Sequence, residues 1–269
     1  MRRVTSSGVL LGGFVGIGLA VWLLSRYGVA PILEVLVRIG WLGMLAILLV
    51  HLPRMFCSTL GWQVITRFDG LRSRTRIYFQ LRWIREAVNN VLPAAQSGGE
   101  FVAARLLPRR GVPLATAIGG TIADLILELA AQVLFTVLGV VLLAQVVGHT
   151  GLVATLTNAL LFAALIVATV FAAMWLGLAA VIESAVIRLG RSLGWPATGQ
   201  VGGLQEALIA CYRSPGRVVA GASWHLFAWL LGALEVWLVL HFCGHDIDGG
   251  PALIIESLGQ AAKAVGFAV

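Results

Sequence analysis

At 269 residues, 59% hydrophobic and only 12% charged, with a mean hydropathy of +0.94, this chain carries more apolar surface than a soluble domain of its length needs. Its apolar runs are continuous rather than alternating, which argues against a membrane β-barrel and for an all-α polytopic membrane protein. The net charge of +7 is almost entirely arginine; those arginines cluster between apolar runs, so the basic balance points to a membrane and not to nucleic acid.

Residues 8–24 follow Arg2 and Arg3 and are long enough to span, which predicts a retained first helix rather than a cleaved leader. Residues 25–40 read as an amphipathic connection carrying Pro31, Glu34 and Arg38. A second span covers 41–64 and is interrupted by His51, Pro53 and Arg54. The strongly basic stretch 65–85 holds Phe68, Tyr78, Phe79 and Trp83, aromatics suited to a membrane surface. A third span, 114–147, is too long for one upright crossing and must tilt or protrude. A fourth covers 152–181, two amphipathic stretches follow at 182–195 and 201–212, and a fifth span covers 218–243. The last apolar segment, 251–269, carries Glu256, Gln260, Lys263 and Gly266; it either begins a sixth span or repeats the irregular segment described next.

Between the second and third spans lies the least lipid-like part of the chain. Arg82 and Arg85 precede Glu86; Asn89 and Asn90 precede Pro93; Gly98 and Gly99 precede Glu100. Lipid offers no partner to freed backbone groups, so a Pro/Gly break at membrane depth survives only under cover of protein or trapped water. Broken helices of this kind mark substrate sites in transporters. Arginines concentrate before the first span, between the second and third, and between the fourth and fifth. If the broken segment does not cross, all three regions share one side, and positive-inside places them and the N-terminus in the cytoplasm. Segment 82–107 is then re-entrant, and 251–269 comes in from the opposite face, as an inverted repeat requires. The expected architecture is one integral membrane domain over 1–269, with halves 1–113 and 114–269, about five full spans and re-entrant broken helices.

Several charged residues are candidates for function. Glu86 and Glu100 either line a cavity, Glu86 paired with Arg82 or Arg85, or bond free backbone N–H groups at the break. Glu100 follows Gly98-Gly99 at a helix start, where capping and substrate contact both fit. Asn89 and Asn90 hydrogen-bond either a headgroup or a neighbouring helix. Arg54 meets a lipid phosphate in forked geometry or serves as counter-ion to Asp124, Glu128 or Glu86. Asp124 and Glu128 lie one turn apart on one face, where like charges suit proton coupling; their spacing also resembles metal placement in helical bundles, but no histidine is near in sequence. Glu235 is expected to face inward, three turns from His225, which reads as interfacial. No phosphate-binding glycine loop or hydrolase motif is present, so no ATP and no other cofactor is expected. Cys57, Cys211 and Cys243 have neither metal-ligand spacing nor a disulfide framework, and read as small core or lipid-facing residues.

The series Arg82-x-x-Arg85-Glu86, Asn89-Asn90-x-Leu92-Pro93 and Gly98-Gly99-Glu100 resembles the transmembrane domain shared by lysylphosphatidylglycerol synthases and their flippase-like relatives, closest to the hopanoid-biosynthesis-associated branch. Arg54 and Asp124 sit where that family carries an arginine and an aspartate. The resemblance implies lipid translocation through two re-entrant hairpins in inverted repeats, with Lys263 opposite Glu86 in the second repeat. It implies membrane lipids as partners, lipid-biosynthesis enzymes as further ones, and a bacterial-type inner membrane. The family's second Pro-Gly and glutamate motif would fall just beyond Val269, so the chain reads as truncated relative to the family. These residues do not include the soluble aminoacyl-transferring domain of the bifunctional synthases, so the resemblance implies no aminoacylation. The function expected is lipid flipping without chemical change; the alternatives are a membrane enzyme acting on a lipid and a non-catalytic accessory of lipid synthesis.

Overall fold

The computed structural model describes residues 18, 21–22, 24–26, 28–66, 75–91, 98–148, 150–178, 180–181, 183–184, 187–188 and 203–266. Most of the first predicted span, Arg67, Arg72 and Arg74, Pro93 with the rest of 92–97, most of 182–195, and residues 267–269 lie outside them. Among the described residues every regular element is helical, as lipid demands of a chain that must satisfy its own backbone.

Helix α1 covers Ala30–Ile65, α2 Thr75–Val91, α3 Gly98–Leu106, α4 Leu114–Val147, α5 Gly151–Trp175, α6 Leu204–Tyr212, α7 Pro215–Phe242 and α8 Gly249–Gly266. Four of them, α1, α4, α5 and α7, are long and apolar enough to cross a membrane. They are the second to fifth predicted spans. The third span keeps its expected bounds: Pro113 starts α4, and Gly148, at φ 72, stops it. Its 34 residues make about 51 Å of helix against a hydrocarbon core of about 30 Å. In α1 the expected connection and span are one helix with a break at Gly40, where φ is 62. Helix α5 is capped by the Thr150 hydroxyl, which accepts from the Val153 amide, and turns Leu161, Phe162, Leu165 and Ile166 outward.

Helices α1 and α7 run antiparallel along a seam of small residues. A Cβ at Gly43 would lie 2.8 Å from Phe242, one at Gly61 2.8 Å from His225 Nε2, one at Gly221 3.4 Å from the Gly61 carbonyl, and one at Gly232 3.2 Å from the Arg54 guanidinium carbon. Between membrane helices, where lipid is as apolar as leucine, such close backbone approach is a main source of attraction.

Helices α2 and α3 form an antiparallel hairpin. Asn89 meets Gly99 and Arg85 meets Glu100 near its tip, while Tyr78 and Leu81 pack with Ala103 and Leu107 nearer its base. The base lies where α1 ends and α4 begins: Thr66 is hydrogen-bonded to the Tyr78 hydroxyl at 2.8 Å, and Trp62 and Val112 join the same cluster. The hairpin therefore comes in and leaves at one end of the bundle. Helix α8 starts at the other end, after a turn pinned by Trp237 Nε1–H donating to the Ile247 carbonyl at 2.8 Å. It runs back along α7 and α4.

Gly139 of α4 marks the tightest contact of α8. A Cβ there would overlap the Ser257 hydroxyl and come 2.8 Å from Ser257 Cβ, and Ser257 is fully buried. Gly139→Val is expected to push α8 off α4 at a cost of about 1–3 kcal/mol. Thermal unfolding of the single variant and of Gly139→Val/Ser257→Gly checks this; the second change should recover most of the loss.

Candidate functional site

Two charged clusters sit inside the bundle, stacked along its axis. The first forms where the hairpin meets α4 and α7. Arg85 Nε donates to Glu100 Oε1 at 2.8 Å, Nη1 to Asp124 Oδ2, and Nη2 to Glu128 Oε2 at 3.1 Å. Its guanidinium carbon lies 5.7 Å from the Trp62 ring centroid. Arg82 holds Glu128 with both terminal nitrogens, at 2.6 and 3.1 Å. Asp124 Oδ1 accepts from His225 Nε2–H at 2.8 Å. Asn89 Nδ2 donates to Glu100 at 3.2 Å, and its Oδ1 accepts from the Gly99 amide at 2.7 Å. The Arg85 side chain is only 3% exposed. Three carboxylates, two guanidiniums and a histidine from four helices thus close on one another and lock the hairpin in place.

Helical geometry explains the convergence. Arg82, Arg85 and Asn89 recur at three- and four-residue spacing and share one face of α2; Asp124 and Glu128 share one face of α4. Gly99 is required because a Cβ there would overlap the Arg85 carbonyl, so the hairpin can close no tighter.

The second cluster lies near the middle of the long part of α1, where the hairpin's axis level gives way to α8. Arg54 Nη1 donates to Glu235 Oε2 at 2.7 Å, while its Nη2 is 3.8 Å from Glu256 Oε1. His51 Nδ1–H donates to Glu235 Oε1 at 3.1 Å. Gln260 Nε2 donates to Glu256 at 3.0 Å, and Gln132 of α4 donates to the Gln260 carbonyl at 3.3 Å. The Arg54 guanidinium lies 6.0 Å from the Trp229 ring centroid. This cluster is more open: the Arg54 side chain is 22% exposed and that of His51 34%. Eight residues of α1, about 12 Å, separate Arg54 from Trp62.

Several expectations change. Glu86 pairs with neither Arg82 nor Arg85, because the three inward carboxylates from α3 and α4 already occupy them; it is half-buried with no polar partner among the described residues. Arg82 and Tyr78 are buried rather than lying on a basic membrane surface. Arg54 is a counter-ion, but to Glu235 and Glu256 rather than to Asp124, Glu128 or Glu86. Asp124 and Glu128 are each met by guanidinium, which removes the repulsion expected from their spacing. Asn89, not Glu100, caps the Gly99 amide. Asn90 is exposed, so of the two amides only Asn89 bridges helices. His225 is buried and bonded to Asp124 instead of lying at an interface. Glu235 faces inward as expected. Gly98 begins α3; Pro93 is outside the described residues; Lys263 is exposed near the end of α8.

His51, Gln132 and Gln260 were not among the sequence candidates. An intramembrane histidine three residues from an arginine, on one face of a span, was the available signal for His51. For the glutamines the signal was spacing: Gln132 continues the Asp124–Glu128 face one turn on, and Gln260 stands one turn after Glu256. Cys211 is a packing residue: it is buried between α6 and α4, and burial pushes its thiol up to about 12. The neighbouring Tyr212 phenol is also raised by burial, and its hydroxyl donates to the Ala123 carbonyl at 3.1 Å, tying α6 to α4.

Comparison with protein families matches residues 9–267 to the family described as the lysylphosphatidylglycerol synthase TM region. Comparison with curated proteins finds no match, and comparison with solved structures finds none.

Proposed function

On the premise that this chain belongs to the lysylphosphatidylglycerol synthase TM region family, we propose that it is a flippase-like transporter that moves a phospholipid or hopanoid-type lipid between leaflets. Membership makes it a multi-pass membrane protein related to lipid synthesis or flipping. The step from there to transport rests on one observation. Arg54 is a guanidinium near mid-span with an incomplete set of partners: one close carboxylate, a second at 3.8 Å, and a partly exposed side chain.

An ionised group at that depth is costly unless something meets it, so an intramembrane arginine is a functional candidate by default. Its free nitrogen suits a phosphate oxygen in forked geometry. Arg85 spends all three guanidinium nitrogens on carboxylates and Arg82 two of its three, so both hold the hairpin rather than the lipid. The hairpin and α8 reach the middle of α4 from opposite ends, near Glu128 and Gln132, and bring both polar clusters inside one bundle of apolar helices. We read α2–α3 as re-entrant from the cytoplasmic side, because Arg76, Arg105, Arg109, Arg110, Arg213 and Arg217 gather at the end where it opens. The N-terminus is then cytoplasmic, in a bacterial-type inner membrane. Coupling is assigned to protons; of the three candidate carboxylates, Asp124 and Glu128 are each held by guanidinium, which leaves the more open Glu235 cluster as the place for it.

In vesicles reconstituted with the full chain, Arg54→Ala is expected to slow flipping of a labelled phospholipid about tenfold, the effect of losing one charge-assisted bond. Glu100→Gln, which loosens the hairpin, should slow it as well. Unchanged transport in both variants would remove the assignment. Mass spectrometry of the lipid should find it chemically unaltered; a new lipid product would favour the reading as an enzyme.

A further inference from the structure

The Arg54 cluster carries an imbalance that its histidine is placed to correct. Two carboxylates, Glu235 and Glu256, face one guanidinium, and Gln260 and Gln132 add no charge. An anionic headgroup arriving at Arg54 adds a second uncompensated negative charge at membrane depth. His51 touches the carboxylate that Arg54 holds. Its Nδ1 already donates to Glu235, so a proton taken on Nε2 makes an imidazolium within the cluster, with a new N–H aimed away from Glu235.

We propose that a lipid with an anionic phosphate headgroup binds at Arg54 together with one proton, taken up by His51. This rests on the headgroup reading of Arg54 given above and names the side chain, beside Glu235, that takes up the proton. His51 bonds to Glu235 on α7, which Arg54 of its own helix also holds, and Glu256 on α8 lies on the far side of Arg54; no other titratable side chain bonds to His51 among the described residues. A phosphate at Arg54 and a proton at His51 are ligands of one site, so each favours the other by linkage. His225 does not share the role. It is 1% exposed, and its Nδ1 is buried with no acceptor among the described residues to receive an added N–H.

The full chain in neutral mixed micelles is titrated with short-chain phosphatidylglycerol. Binding is expected to be about tenfold tighter near pH 5.5 than near pH 8, across the range where an imidazole changes charge. Calorimetry in buffers of different ionisation enthalpy should count about one proton taken up per lipid near neutral pH. His51→Gln should bind at the weaker affinity throughout, with no proton uptake. The wild-type proton count keeps the test decisive even if that variant does not fold. Lipid binding without pH dependence or proton uptake overturns the proton linkage and leaves the headgroup site intact, as does a full pH dependence in His51→Gln. No binding at either pH overturns the headgroup site and the linkage together. Glycerol phosphate competing as well as the lipid overturns the assignment of the headgroup to a lipid.

Discussion

Arg85→Met is expected to destabilise the protein by about 3–5 kcal/mol, the usual consequence of removing one partner from a buried ion-pair network. Among the described residues, Arg85 alone touches Glu100 on α3, Asp124 and Glu128 at once. Without it, among the described residues, Arg82 is the one guanidinium left to Asp124 and Glu128, Glu100 keeps only Asn89, and the hairpin loses one of its two charged ties to α4. The cost comes from leaving charges unpaired in a buried, low-dielectric site, not from the value of the pair itself. Arg85→Met combined with Asp124→Asn and Glu100→Gln should therefore recover much of the stability, although it removes more polar contacts. Arg85→Lys should recover little, because an ammonium is a point charge and cannot meet three carboxylates in the directions that a planar guanidinium reaches. Thermal unfolding of the detergent-solubilised protein, followed by loss of the monodisperse species, checks the order. A single Arg85→Met variant as stable as the parent would mean that the ion pairs of Arg85 do not hold the hairpin.

Gly61→Leu is expected to be nearly as damaging, about 1–3 kcal/mol or more, through overpacking of the α1–α7 seam. A Cβ at Gly61 falls 2.8 Å from His225 Nε2 and 3.0 Å from Cδ2. The ring cannot swing aside freely, because Nε2–H is bonded to Asp124. The leucine must either part the two helices or break that bond, and breaking it leaves the imidazole and a carboxylate oxygen without each other. Gly61→Ala should show the same effect at smaller size. Gly61→Leu/His225→Ala should be more stable than the sum of the two single changes predicts, since the second makes room for the first; a double-mutant cycle measures the difference. Strict additivity would separate Gly61 from the charged cluster and restrict its role to the seam.

Much of the architecture was legible in the residues alone. Span 114–147 is bounded by Pro113 and Gly148, and both act locally, one by starting a helix and the other by leaving the helical region. Apolar runs of spanning length identified α5 and α7 because in lipid a long apolar run has no alternative to helix. The charged residues at Arg54, Arg82, Arg85, Asp124 and Glu235 announced themselves by being expensive in that setting. The family resemblance rested on the same residues, and the match over 9–267 bears out the family while leaving the hopanoid branch a proposal.

The sequence by itself determined the helical membrane class, the positions of its spans and which side chains must find partners. Only the tertiary structure decided the partners. Glu86 stood four residues from Arg82 and next to Arg85, yet it sits apart from both. Arg85 instead reaches a glutamate 15 residues away and an aspartate 39 away, Arg54 a glutamate 181 away, and His225 an aspartate 101 away. Helical periodicity fixes the face on which a side chain lies, because that depends on neighbouring dihedrals. It says nothing of which distant face will be laid against it, because that is set by how glycines such as Gly61, Gly99 and Gly139 let whole helices approach.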